Sequence, residues 1–212
     1  MPNATAKLFA AGLLLVLPAS AVDSNLPASA QAAAKIRVCV NYNNYAAASA
    51  MTRARITTSR MFAPAGVALE WYSVGNAACR GSQQTQTIML DFSTDTPPSQ
   101  DPGALAYALA YEGVHIVVMF DRIKMRGGGP AQISTLLAHV VTHEIAHLLQ
   151  GISRHTATGV MKAHWDAKDV VNMAHAPLPF APEDIDLIQR GLGRRAAGSA
   201  SAVPPVATPG QH

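Results

Sequence analysis

Between Ile133 and Leu149 the apolar residues Ile133, Leu136, Leu137, Val140, Val141, Ile145 and Leu148 recur every three or four positions. That period describes a helix, and the breadth of its apolar surface describes one covered by protein on more than one side. The rest of the chain must therefore wrap around it. Yet this helix also carries His139, His143, Glu144 and His147. Polar groups in a buried place need partners, so the segment constrains chemistry as well as fold.

The spacing of those polar residues is chemically specific. Residues four apart lie one turn apart on one helix face, so His143 and His147 can turn their imidazoles to a single ion. Glu144 lies about 100° round from His143. There it can reach a water on that ion without ligating the ion itself, which is the geometry of a general base. Zinc with three protein ligands and an open fourth position lowers the pKa of its water to about 7 and polarises a carbonyl. The third ligand must come from outside the helix. Gly151 is the expected stop, because glycine takes the left-handed conformation that turns a chain after a helix, and the turn swings His155 back. His139 continues the row, but its Cα is about 12 Å from that of His147, whereas zinc-bound nitrogens lie about 2 Å from the ion. It is expected to be a packed core or supporting histidine. His164, Asp166 and Asp169 are the alternatives to His155 as third ligand.

The string HEIAHLLQGISRH over residues 143–155, followed by Thr158-Gly159-Val160-Met161, resembles the metzincin clan of zinc endopeptidases. In that clan a helix bearing HExxH ends at a glycine, a third histidine follows, and a methionine turn underlies the metal. Carried over by position, the resemblance implies His143, His147 and His155 as ligands of one zinc ion, Glu144 as general base and Met161 as the turn methionine. It also implies an α+β fold, with a small twisted mixed sheet packed over the active-site helix and a C-terminal helix closing the lower half. The clan's usual pattern puts the glycine three and the last histidine six residues after the second histidine. Here they fall at four and eight, as in small secreted bacterial proteins, predicted to be peptidases, that the chain resembles more narrowly. The resemblance is strong from about Leu136 to Trp165.

The start of the chain bears on where this chemistry takes place. Lys7 precedes an apolar run from Leu8 to Leu17, and Pro18-Ala19-Ser20-Ala21 supplies the small residues that a signal peptidase prefers. A signal peptide over residues 1–21 is expected, hence a secreted or periplasmic protein. Its apolar run of about ten residues is too short for a bilayer, which takes about 20. No membrane anchor is expected. Cys39 and Cys79, the two cysteines, are permitted to pair by an exporting context, although a free buried cysteine also suits the apolar stretch around Cys39.

Composition narrows the partners. The formal charge of +3 falls to +2 with the loss of Lys7, and the basic residues are scattered among acids, so nothing argues for nucleic acid. The expected partner is a peptide or protein substrate; oligomeric state is not legible. One catalytic domain over residues 22–193 is expected, then an Ala/Pro/Gly/Ser-rich tail over 194–212 without structure.

A coarse order of elements follows. Strands are expected at Ile36–Val40, at Val67, Leu69 and Trp71, at Thr87–Phe92 and at His115–Phe120, with a helix over Ala46–Phe62 ending at Gly66. Asp95–Pro102 reads as a surface loop, Gly127-Gly128-Gly129-Pro130 as a flexible connection, and Pro182-Glu183-Asp184 as the start of a final helix. His115 reads as structural; His164 and Trp165 pack below the metal or wall a pocket. Two functions remain: a zinc endopeptidase, and a non-catalytic exported protein that keeps such a site for stability or partner binding. Glu144 favours the first, because a closed structural site has no use for a free carboxylate beside it. Another amide or ester as substrate stays open.

Overall fold

The computed structural model describes residues 33–43, 45–80, 86–94, 101, 103–109 and 114–201, with side chains up to residue 198. The expected leader, most of the Asp95–Pro102 loop and residues 202–212 lie outside this set.

Five strands form one sheet: β1 (Ala34–Val40), β2 (Val67–Ser73), β3 (Thr87–Ser93), β4 (Ala106–Leu109) and β5 (His115–Met119), in the order β2-β1-β3-β5-β4. β1 pairs parallel with β2 and β3, and β3 with β5, while β4 runs antiparallel along β5. The sheet is therefore mixed, as expected, with its antiparallel strand at one edge. Alternation along the strands selects the core face. Ile36, Val38 and Val40 of β1, Ile88, Leu90 and Phe92 of β3, and Ile116 and Val118 of β5 are all buried, consistent with the two-residue period of a strand.

Among the described residues five α-helices accompany the sheet: α1 (Tyr45–Phe62), α2 (Phe120–Gly127), α3 (Pro130–Gln150), α4 (Ala167–His175) and α5 (Pro182–Ser201). α1 buries Ala47, Ala50, Met51, Ala54, Thr58, Met61 and Phe62, the stripe its sequence period describes. It packs on α3, where Thr58 Oγ1 donates to Ala138 O at 3.2 Å and small alanines let the backbones approach. Full burial of one large side chain such as Phe62 contributes about 1.5–3 kcal/mol. From Leu136 to Thr142 every residue of α3 is buried, so it is the central helix that its apolar breadth demanded.

The Cys39–Cys79 disulfide is formed, with the two Cα atoms 5.9 Å apart. Cys39 alternates with Val38 and Val40, so the bond lies on the opposite face of the sheet from the main core.

Three expectations are corrected. The strand from His115 stops at Met119, because Phe120 opens α2, whose Phe120 and Ile123 turn inward. Only Gly128 and Gly129 link α2 to α3, since Pro130 is already helical. The structureless tail does not begin at Arg194: α5 continues to Ser201. Ala196 and Ala197 are strong helix formers, and Arg194 and Arg195 donate to Gln150 O (2.6 Å) and Leu148 O (2.8 Å), carbonyls of the last turn of α3.

Candidate metal centre

α3 ends as its sequence requires. Gly151 takes a left-handed φ of 67° and its N–H donates to His147 O at 2.9 Å, a conformation that costs a side-chain-bearing residue more. The chain then returns, bringing His155 beside the helix. The ring nitrogens of His143, His147 and His155 lie within 4.8 Å of one another, a set that could hold a metal ion.

The proton positions follow from the partners. A carbonyl only accepts, so His143 Nδ1–H donates to Val160 O at 2.9 Å, and His147 Nδ1–H to Ile152 O at 3.2 Å. Both rings then present an unprotonated Nε2 inward. His147 Nε2 lies 2.9 Å from His143 Nε2 and 3.3 Å from His155 Nε2. The His143 and His147 lone pairs facing at 2.9 Å repel, and a cation between them removes the conflict. A tetrahedral zinc with nitrogens at about 2.0–2.1 Å sets them about 3.3 Å apart, so the three imidazoles fit the ion.

Burial keeps these rings neutral. It pushes His143 down to about 3 and His147 to about 4, with the charge of His147 adding to the effect at His143. His155, the most open of the three, is lowered by burial and then by the nearby charge of His164. Neutral imidazole is the ligating form.

Glu144 faces a cleft of about 810 Å³ that all three histidines also line. Burial raises its carboxyl to about 7, against the opposing effect of a hydrogen bond from the Ala108 backbone. That amide belongs to β4, an edge strand of four residues whose alternation is too short to show in the sequence, and Ala106, Tyr107 and Ala108 form part of the wall of the cleft. Trp165 is both packing and wall: it lines the cleft and stands edge-on to His143, with ring centroids 5.7 Å apart.

Of the remaining candidates, His139, Asp166 and Asp169 have other employment. His139 is fully buried, donates from Nδ1 to Thr135 O at 2.8 Å and accepts the Leu178 N–H at Nε2, 3.0 Å away. It is the core histidine its distance along the helix implied. Asp166 and Asp169 cap α4 reciprocally, each accepting the other's N–H at 2.9 Å, and both hold Lys162. An aspartate followed three residues later by another is a helix-start signal that would have revealed α4. His164 lines the cleft. Met161 is fully buried, and its carbonyl accepts the Thr156 N–H at 2.9 Å, closing the turn after His155.

With this geometry in view, the fold resembles a solved one. The chain is similar to the crystal structure of an archaemetzincin from Methanopyrus kandleri, with a TM-score of 0.50 over 80% of this chain and 99% of that one. At 14% identity the likeness is one of fold. No family model matches the sequence, and no curated protein matches it either.

Proposed function

We propose that the chain is a secreted zinc-dependent endopeptidase in which His143, His147 and His155 hold one zinc ion and Glu144 is the general base. The observation that carries this reading is the convergence of three imidazoles, two of them with Nε2 freed by Nδ1–H bonds to carbonyls, beside the Glu144 carboxyl in one open cleft. The archaemetzincin-like fold is in keeping with it. Zinc in that position supplies Lewis acidity, activating a water and polarising a substrate carbonyl.

The protein's own groups do the rest. Glu144, which lines the cleft beside the three histidines, takes a proton from the attacking water and returns it to the leaving amine. The Ala108 N–H orients that carboxylate. Among the described residues β4 is the last strand of the sheet, and the outer edge of such a strand offers backbone groups to an extended peptide, which favours a peptide substrate. Met161 supports the turn behind His155. Export is supported by the expected leader and by a disulfide, a bond that persists in oxidising compartments. Among the described residues no helix is long and apolar enough to cross a membrane.

The test is metal content with one substitution. Purified protein should carry about one zinc per chain, and Glu144→Gln should keep the zinc while losing hydrolysis of a denatured protein substrate. Zinc-loaded wild type that cleaves nothing in a broad peptide library would hand the site to the non-catalytic binding role.

A further inference from the structure

The loop that brings His155 to the other histidines, residues 151–155, is two residues longer than the pattern it resembles. Added loop residues add conformations that must be frozen before the ligand is in place. Something has to hold this loop, and the residues on either side of His155 lead to the same group. Arg154 Nη1 lies 3.7 Å from Asp184 Oδ1, and Thr156 Oγ1 lies 3.4 Å from Asp184 Oδ2.

Asp184 stands in the first turn of α5 and is 1% exposed. One of its oxygens has a local use: Oδ2 accepts the Ala181 N–H at 3.1 Å, an ordinary helix-start contact. Capping does not account for the other. Oδ1 is buried without a hydrogen bond and faces the Arg154 guanidinium. A carboxylate oxygen withdrawn from water is costly unless a charge compensates it, so Arg154 is the partner that makes this burial tolerable. Glu183 Oε1, 3.8 Å from Arg154 Nη2, supports the same guanidinium. The far end of the loop is tied too. Thr156 Oγ1 also lies 2.9 Å from Thr158 O, and the turn behind it hangs from the Pro179 carbonyl by the Val160 N–H.

We propose that Asp184 is a positioning residue for the third metal ligand, its buried carboxylate holding the loop that carries His155 in register through the neighbouring Arg154. The inference rests on the zinc-site reading and deepens it. The acidic start of α5 does more than begin a helix; it braces the lengthened loop against the body of the protein.

Zinc affinity of the full chain, measured by competition with a chromophoric chelator, tests this alongside the visible absorption of the cobalt-substituted protein and the melting of the metal-free form. Arg154→Met should weaken zinc about tenfold, the lower end of what groups behind the ligands contribute. It should alter the cobalt bands and also lower metal-free melting, because it leaves the buried Asp184 oxygen without its compensating charge. Arg154→Lys should recover part of the affinity. Asp184→Asn should weaken zinc similarly, and the double variant should be no weaker than the poorer single, as expected for one shared contact. Wild-type affinity and an unchanged cobalt spectrum in Arg154→Met overturn the brace, whether or not Asp184→Asn folds. A wild-type chain that takes up no zinc overturns the metal centre itself, a separable result.

Discussion

Val160 O accepts the Nδ1 proton of His143 at 2.9 Å, so the residue before Met161 sets the tautomer of a histidine seventeen positions earlier. The turn that carries this carbonyl is fixed in its own right. Its Val160 N–H donates to Pro179 O at 2.9 Å, and in the next residue but one of that strap from Leu178 to Ala181 the Ala181 N–H reaches Asp184. The strap in turn is held to α3 by the Leu178 N–H on His139. Helix, turn and strap thus form a closed circuit around the three imidazoles.

Gly159 is where that circuit leaves no room. Its φ is +76°, and a Cβ there would lie 2.3 Å from Pro179 O. Gly159→Ala should destabilise the protein by about 1–3 kcal/mol, the range for a residue forced into such backbone, and should also weaken zinc binding, because Val160 O must move. Urea denaturation and chelator competition measure the two effects. Stability and affinity both at the wild-type level would contradict the account of the turn.

His139 separates a structural histidine from a ligand. His139→Leu removes the acceptor of the buried Leu178 N–H and the donor to Thr135 O, and a buried group left unpaired costs about 1–3 kcal/mol. Zinc content should stay near one per chain, because the ring's two nitrogens are already used by backbone. Loss of the metal in a variant that still folds would make His139 a ligand after all.

The meeting of the three histidines was more legible than the frame around it. HEIAH states its own geometry, since helical spacing alone brings His143 and His147 to one face, and the broad apolar period of Ile133–Leu148 requires burial. What escaped the sequence was short or set by distant contact. β4 has four residues and no run long enough to show alternation, yet it provides the amide on Glu144. α2 offers only Phe120 and Ile123 as buried side chains in eight residues, too little for a period. The pairing of Arg154 with Asp184 spans thirty positions, and no local pattern encodes it. Arg194 and Arg195 read as the start of a tail because their partners are carbonyls of another helix.

The disulfide should matter to the fold and not to the site. Cys39 and Cys79 are 40 positions apart, and a bond closing a loop of that order contributes about 2–4 kcal/mol, mainly by restricting the unfolded chain. Replacing both with alanine should lower denaturation stability by about that amount, while zinc affinity stays at the wild-type value, since the bond lies across the sheet from the core face. A shift in affinity comparable with the loss of stability would mean that the far face is coupled to the metal centre.

Acid should unfold the metal-free protein. His139, His143, His147 and His155 all have folded pKa values below 6.5, with His143 near 3 and His147 near 4. As pH falls below 6.5 the unfolded chain takes up these protons and the folded one does not, so stability present above that value is lost towards pH 4. Glu144, raised to about 7, and Asp184, also raised, act in the opposite sense. Between 4.5 and 7 the folded state holds the Glu144 proton and the unfolded state gives it up, which favours the fold on the acid side. Four histidines outweigh two carboxyls, so the net change is destabilisation. Glu144→Gln removes one opposing group and should make the acid loss steeper. Zinc at 100 times its dissociation constant should add about 2.7 kcal/mol near neutrality, and this increment should shrink on acidification because each ligand must stay unprotonated. Urea midpoints of metal-free wild type, zinc-loaded wild type and metal-free Glu144→Gln across that pH range decide the matter. A metal-free curve that stays flat from 6.5 to 4, or a Glu144→Gln curve shallower than wild type, would show that these groups do not titrate as their burial dictates.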